Sequence, residues 1–276
     1  MHAAKIAHVR PLHLQVLGQP ARVFVGGNGP PTLLLLHGGW GGASMHFSRV
    51  WGLLSQHFRI VAPDLPGLGD LTQPGRACLA DYVTWLNDLL DMLGVRQAIV
   101  LGNSFGASLA WSFASRSPER CQGLVLVDGF AVPHTPALLG WLGRLAPGRS
   151  LMRALVRQVS FRPPLLADAF ADPRSAPAEL RGWLVDTPQR RLETFVDCLI
   201  AGDGSPRPRV PLLVIWGEAD HLPGTSLAAG RHRAASLPGA QFVPVAHAGH
   251  FPQVEQPEAF AAAVDAFALA ASAPPS

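Results

Sequence analysis

Short apolar runs, each the length of a β-strand, recur along the chain and restrict its fold more than any other feature. Runs of this kind are typical of strands buried on both faces of a parallel sheet. Two earlier segments, 12–17 and 22–25, predict a strand pair joined by a turn at Gly18. The apolar runs themselves occupy residues 32–36, 59–62, 98–101, 124–127, 212–216 and 241–245.

Segments with helical spacing lie between these runs. The apolar residues of segment 79–93 fall on one helical face, and Gly94 ends that segment. Helices are also predicted over 105–115 and 257–269. Because strands and helices alternate, we expect right-handed crossovers and a doubly wound α/β sandwich.

Residues 130–211 interrupt this alternation, since they contain no obvious strand and many prolines and arginines. A structureless loop of this length is uncommon in a compact domain, so we expect an inserted helical cap. The predicted core then consists of residues 1–129 and 212–276. Apolar side chains of the predicted cap are Leu138, Leu139, Trp141, Leu142, Phe161, Leu165, Leu166, Phe170 and Trp183.

Composition excludes several classes of protein. Hydrophobic residues make up 48% of the chain and charged residues 15%, which is incompatible with disorder. The net charge is +3 and the arginines are scattered, so no nucleic-acid partner is predicted. No apolar stretch approaches the roughly 18 residues of a membrane span, and the first residues lack the apolar region of a secretory signal.

The three cysteines predict neither a zinc site nor a set of disulfides. Cys78, Cys121 and Cys198 are far apart and form no CxxC pair. Buried thiols in a reducing compartment are the simplest interpretation, and we therefore expect a cytoplasmic chain.

A candidate nucleophile lies between an apolar run and a predicted helix. Residues 102–106 read GNSFG and fit the pattern G-x-S-x-G. In this context the pattern is typical of a nucleophile elbow, whose glycines allow strand and helix to approach closely. We therefore predict that Ser104 is a catalytic nucleophile.

The acid and the base that a serine nucleophile needs follow two later strands. Asp220 comes after the run 212–216 and His250 after the run 241–245. Both should lie at the carboxyl edge of the sheet with Ser104, in the chain order Ser, Asp, His. Glu218 and Asp128 are the alternative acids, and His247 is the alternative base.

Two backbone N–H groups are predicted to stabilise an oxyanion. One is that of Phe105, which directly follows the nucleophile. The other should come from the loop after the run 32–36, where residues 37–42 read HGGWGG. We assign it to Gly39, with Trp40 as the second choice.

Five motifs, taken in order, resemble the α/β-hydrolase superfamily in its lid-bearing form. They are HGG at 37–39, PDLPGLG at 63–69, the elbow at 102–106, GEAD at 217–220, and GHFPQVEQPE at 249–258. The resemblance implies a mostly parallel eight-stranded sheet with an antiparallel second strand, an inserted helical cap and a Ser-His-Asp triad. The sequence departs from the usual pattern in two places, namely at residues 70–71 after the second motif and at Ala107 after the elbow.

Serine at the nucleophile position distinguishes this chain from the epoxide hydrolases and haloalkane dehalogenases that it otherwise resembles. The apolar cap favours a carboxylesterase acting on a small to medium, mostly apolar acyl ester. Trp40, Phe251, Trp141 and Trp183 are predicted to contact that substrate. No metal cluster, phosphate loop or dinucleotide fingerprint is visible, so neither a cofactor nor a metal is expected.

The same residues are compatible with other functions. Hydrolases that cleave a C–C bond in meta-cleavage products of aromatic rings resemble this chain at Asn103, although they usually have Trp where Phe251 stands. They also use a cap arginine for the substrate carboxylate, and Arg181, Arg190 and Arg191 are the candidates. An acyltransferase, a lactonase and a non-catalytic binder are further alternatives. We expect a small-molecule substrate and a monomer or homodimer.

Overall fold

The computed structural model is built around a sheet that has eight strands among the residues described. In chain order the strands are β1 Arg10–Val16, β2 Gln19–Gly26, β3 Thr32–Leu36, β4 Arg59–Pro63, β5 Ala98–Asn103, β6 Cys121–Val127, β7 Leu212–Gly217 and β8 Ala240–Val245. The structure describes residues 8–69, 78–130, 141, 143, 145–160, 162–185 and 189–272, so the predictions for Leu138, Leu139, Leu142 and Phe161 lie outside it.

The strands follow the order β1-β2-β4-β3-β5-β6-β7-β8 across the sheet. β2 is antiparallel to both of its neighbours, and the pairs from β4 to β8 are parallel. Leu34 of β3 lies beside Val61 on one side and Val100 on the other. The α/β-hydrolase fold predicted from the sequence is therefore confirmed, including the reversed second strand.

Alternate residues of β3 contribute to two different cores. Leu34 and Leu36 pack against helices on one face of the sheet, whereas Leu33 and Leu35 pack against helices on the other face. All four leucines are fully buried because helices cover both faces of the sheet. These helices are α1 Ala43–Leu54, α2 Leu79–Met92, α3 Phe105–Arg116 and, at the end of the chain, α10 Pro257–Ser272.

All the regular secondary structure that the structure describes between β6 and β7 is helical. Ion pairs join Arg149 to Asp197 and Arg153 to Glu193, and so hold the first and the last helix of this segment together. The helices of this segment are α4 Ala146–Ser160, α5 Leu165–Ala169, α6 Ala178–Val185 and α7 Gln189–Ala201. Two more helices, α8 Leu227–Ala235 and α9 Pro252–Glu255, follow β7 and β8.

The short helix α5 is fastened to the two loops that carry Asp220 and His250. The carbonyl oxygens of Asp168 and Ala169 accept hydrogen bonds from the backbone N–H groups of His221 and His250, at 2.9 and 2.7 Å. Since backbone groups make these bonds, this part of the segment between β6 and β7 is held at the carboxyl edge of the sheet.

The cysteines are free thiols. Cys121 and Cys198 are buried, and burial raises the pKa of each to about 12. Both thiols therefore stay protonated and unreactive near neutral pH. Across the part of the chain that the structure describes, we find no helix with the length and apolar character of a membrane span.

Candidate active site

Ser104 lies in a strained turn between β5 and α3. Its φ is 56° and its ψ is −117°, a combination that non-glycine residues rarely adopt. A Cβ on Gly102 would overlap the Gly106 carbonyl, and one on Gly106 would overlap the Leu36 carbonyl. The glycines of the motif are therefore required by the close approach of β3, β5 and α3.

The structure brings the predicted acid and base together. Asp220 Oδ2 lies 2.7 Å from His250 Nδ1, and Asp220 Oδ1 accepts a hydrogen bond from the Leu222 N–H at 3.0 Å. Both side chains are buried. His250 and Ser104 line the same cavity, so the three predicted triad residues converge at one edge of the sheet.

The alternative acid Glu218 and the alternative base His247 are both exposed, and neither lines this cavity. Asp128 is different, because it is buried beside the triad at the end of β6. The ligand atoms of Asp128, Asp220 and His250 all lie within 4.8 Å of one another. Burial, and next the Asp220 carboxylate, raise the pKa of Asp128 well above its usual range.

These two carboxyl groups and the imidazole are donor types that can bind a divalent cation. The Nδ1 atom of His250, however, is already engaged with Asp220 at 2.7 Å. The arrangement is therefore better explained as a cluster of acid and base groups than as a metal centre.

The two residues predicted to supply the oxyanion donors, Gly39 and Phe105, both lie against Phe195, and Gly39 lines the cavity. The N–H of Phe105 is in the first turn of α3, where helical N–H groups have no partner within the helix. Within the described parts of the chain, neither this N–H nor that of Gly39 donates a hydrogen bond to another residue. Phe195 of α7 contacts both residues, because the centre of its ring lies 5.1 Å from that of the Phe105 ring and the ring would overlap a Cβ on Gly39.

His46 of α1 is a site residue that the sequence analysis did not single out. Its ring nitrogens lie 2.6 Å from the Trp40 carbonyl oxygen and 3.0 Å from Asn103 Oδ1. Burial, and next the proximity of His37, lower the pKa of His46 to about 3, which favours the neutral ring at neutral pH. His46 thereby links the Gly39 loop to the nucleophile elbow. A prediction of α1 from the sequence would have placed it there.

The cavity at Ser104 has a volume of about 150 Å³ and a mostly apolar wall. Trp40 and Phe251, predicted to contact the substrate, are among its lining residues. Trp141 and Trp183 are not, contrary to prediction, because Trp141 is 57% exposed and Trp183 packs instead against Arg191. The described lining consists of Gly38, Gly39, Trp40, His46, Ser104, Phe195, Leu222, Pro223, Thr225, His250 and Phe251.

Arg191 is buried behind the Gly39 loop. Its guanidinium donates to the carbonyl oxygens of Gly39 and Gly69, each at 3.4 Å, and lies 3.6 Å from the centre of the Trp183 ring. Arg181 is exposed and donates to the Pro173 carbonyl at 2.6 Å. The side chain of Arg190 lies outside the described residues. Arg191 is thus the only one of the three candidates that the described structure places near the site.

The chain belongs to the alpha/beta hydrolase family, whose model matches residues 33–263. It is 33% identical over 229 residues to a 2-hydroxymuconate semialdehyde hydrolase of Pseudomonas putida, covering 79% of this chain and 80% of the relative. It is 30% identical over 253 residues to a 2-hydroxy-6-oxononadienedioate/2-hydroxy-6-oxononatrienedioate hydrolase of the same species, covering 85% and 86%. The crystal structure of a bacterial membrane phospholipase A superposes with a TM-score of 0.77 at 24% identity, covering 96% of this chain and 87% of that one.

Proposed function

We propose that this hydrolase acts through Ser104 as nucleophile, His250 as general base and Asp220 as the acid that orients His250. The observation that carries this proposal is that Ser104, in its strained turn, lines one cavity with His250, whose Nδ1 lies 2.7 Å from Asp220. A hydroxyl is a weak nucleophile until a base takes its proton, and a positioned imidazole can do so.

In the proposed reaction, Ser104 Oγ attacks the substrate carbonyl carbon while His250 Nε2 takes the hydroxyl proton. The N–H groups of Gly39 and Phe105 hold the resulting oxyanion. When this intermediate collapses, the bond to the leaving group breaks and His250 returns the proton to that group. Water then attacks the acyl-enzyme in the same way, which releases a carboxylic acid and restores Ser104.

For the bond cleaved, we favour a C–C bond in a vinylogous diketo acid. Support comes from the relatives at 30–33% identity, which are named for hydrolysis of 2-hydroxymuconate semialdehyde and of related dienedioates. Here the leaving group is a dienolate, which takes the proton of His250 at carbon. The buried Arg191 guanidinium, 3.4 Å from the Gly39 carbonyl, is a candidate partner for the carboxylate end of such a substrate.

The second candidate is the carboxylic ester favoured by the sequence. One specific observation supports it. The described cavity wall is lined by the rings of Trp40, Phe195 and Phe251, and the residue after His250 is Phe instead of the usual Trp of the C–C hydrolases that this chain resembles. Such a wall suits an apolar acyl group. We retain residues 130–211 as a proposed cap over either substrate.

Parallel kinetics distinguish the two substrates. We expect the kcat/KM for 2-hydroxymuconate semialdehyde to exceed that for p-nitrophenyl acetate, butyrate and octanoate. Replacing Arg191 with Gln should reduce diketo acid hydrolysis far more than ester hydrolysis, and Arg181→Gln, at an exposed arginine, serves as the matched control. A higher kcat/KM for one of the esters, with Arg191→Gln affecting both substrate classes equally, would assign the ester function instead.

A further inference from the structure

We propose that Asp128 carries a proton and donates it in a hydrogen bond to the Asp220 carboxylate, as a positioning residue of the triad. This inference rests on the proposed function in so far as it concerns catalysis. The position of the proton itself can be measured without any substrate.

The backbone fixes the Asp128 side chain between β6 and β7. Its N–H donates to the Ile215 carbonyl at 3.1 Å, and its Oδ1 accepts from the Gly217 N–H at 3.0 Å. Its φ of 43° is in the left-handed region, which is uncommon for a residue other than glycine. The carboxyl group is thus clamped in one orientation by the strand that leads to Asp220.

The second oxygen of Asp128 shows where the proton belongs. Asp128 Oδ2 is buried and accepts no hydrogen bond from any residue in the described ranges. An ionised oxygen without a donor would be strongly unfavourable there, whereas a protonated oxygen becomes a donor itself. The Asp220 carboxylate is the nearby acceptor, since one of its oxygens lies within 4.8 Å of an oxygen of Asp128.

The charges around this pair favour a single ionised carboxylate. Asp220 is the better site for it, because the Leu222 N–H and His250 Nδ1 contact its two oxygens. The other groups that act on Asp128 are His250 and Glu255, and Glu255 adds further negative potential. Two buried carboxylates at this separation repel each other, so one retains its proton.

A shared proton has a consequence for catalysis. It holds Asp220 in the orientation in which its Oδ2 lies 2.7 Å from His250 Nδ1. It also leaves only one of the two carboxyl groups beside His250 negatively charged. A second negative charge would favour the imidazolium form and so remove the free base at neutral pH. Asp128 therefore acts through Asp220 without touching the substrate.

Infrared difference spectroscopy tests the proton directly. We expect the wild-type protein at pH 7 to show the carbonyl band of a buried, protonated carboxylic acid, and Asp128→Asn to lose it. Asp203→Asn is the matched control, because Asp203 is also buried but is paired with Arg116. Absence of the band in the wild type, or its survival in Asp128→Asn, would overturn the proposal.

Labelling of Ser104 by a fluorophosphonate, followed against pH, tests the positioning role. Asp128→Leu removes the donor, and we expect labelling to slow about 10- to 100-fold, as for loss of a hydrogen bond to a charged group. The acidic limb of the profile of labelling rate against pH should move to higher pH. In Asp128→Asn an amide replaces the acid, so the loss should be below about tenfold, with the limb in place. A limb moved to lower pH in Asp128→Asn would mean that an ionised Asp128 had been removed.

The two readouts separate failure of this inference from failure of the proposed function. If the folded wild type is not labelled at Ser104, the proposed function fails, while the infrared band still reports the proton on Asp128. If labelling is normal and the band is absent, only the assignment to Asp128 fails.

Discussion

The ring of Phe195 lies directly on Gly39, so closely that a Cβ on that glycine would overlap it. Phe195 belongs to α7, between β6 and β7, whereas Gly39 belongs to the loop after β3. The same ring contacts Phe105, 5.1 Å away, which supplies the other predicted oxyanion donor. A single side chain from the proposed cap therefore contacts both residues that would supply the oxyanion donors, and so connects the proposed cap to the oxyanion site.

Replacing Gly39 with Ala should therefore damage catalysis by displacing either Phe195 or the Gly39 N–H. We expect kcat to fall about 100- to 1000-fold, the effect of losing one oxyanion donor. Phe195→Ala, added to this variant, should restore part of the lost kcat because it makes room for the methyl group. Gly52→Ala is the control, since no other residue approaches its Cβ position. Equal kcat in the single and double variants would show that the ring contact does not matter.

The neutral, buried His46 should make the protein sensitive to acid. Its pKa is lowered to about 3 in the folded state, whereas an unfolded histidine binds a proton below about pH 6.5. The unfolded state therefore binds more protons between these values. As the pH falls through this window, the free energy of unfolding should decrease by up to about 1.4 kcal/mol per pH unit from this residue alone.

Urea unfolding of the wild type and of His46→Gln between pH 7 and 4 measures this effect. We expect the unfolding free energy of the variant to change less steeply with pH, by the amount that one proton contributes. This holds even if the variant is less stable than the wild type at pH 7. The exposed His232, replaced with Gln, provides the control and should leave the slope as in the wild type. Identical slopes in all three proteins would contradict the assignment to His46.

Glu255 should hold the proposed cap to the loop of the catalytic base. Its carboxylate accepts hydrogen bonds from the Gly249 N–H at 2.7 Å and the Asp172 N–H at 3.1 Å. Glu255→Gln removes the charge that strengthens both bonds, and we expect a loss of about 1.5–3 kcal/mol in unfolding free energy. Glu258→Gln changes an exposed neighbour and should have little effect. Equal stabilities of the two variants would show that Glu255 does not fasten the two parts.

Much of the fold could be predicted because its signals are local. The four consecutive leucines of β3, all buried in the sheet, indicated a strand covered on both faces. The elbow could be recognised because its glycines are required where α3 passes against β3 and β5. Chain order then placed Asp220 and His250 at the same edge, where the structure has them in contact at 2.7 Å.

The remaining parts of the site depend on contacts between distant segments. The apolar spacing of a cap helix does not specify which partner its apolar side chains meet. Trp141 and Trp183 were therefore predicted to contact the substrate, whereas Phe195 is the residue of this segment in the described cavity lining. His46 escaped notice because α1 was not predicted after the glycine-rich loop. The role of Asp128 depends on its burial against Asp220, which sequence spacing alone does not reveal.

The most direct test of the central claim is to map the residue that a fluorophosphonate probe modifies. The protein is labelled at pH 8, digested and analysed by tandem mass spectrometry beside Ser104→Ala and His250→Gln. We predict a single modified site at Ser104, no label in Ser104→Ala, and labelling slowed by orders of magnitude in His250→Gln. Label on another serine, or a folded protein whose labelling persists in Ser104→Ala, would contradict the assignment of the triad.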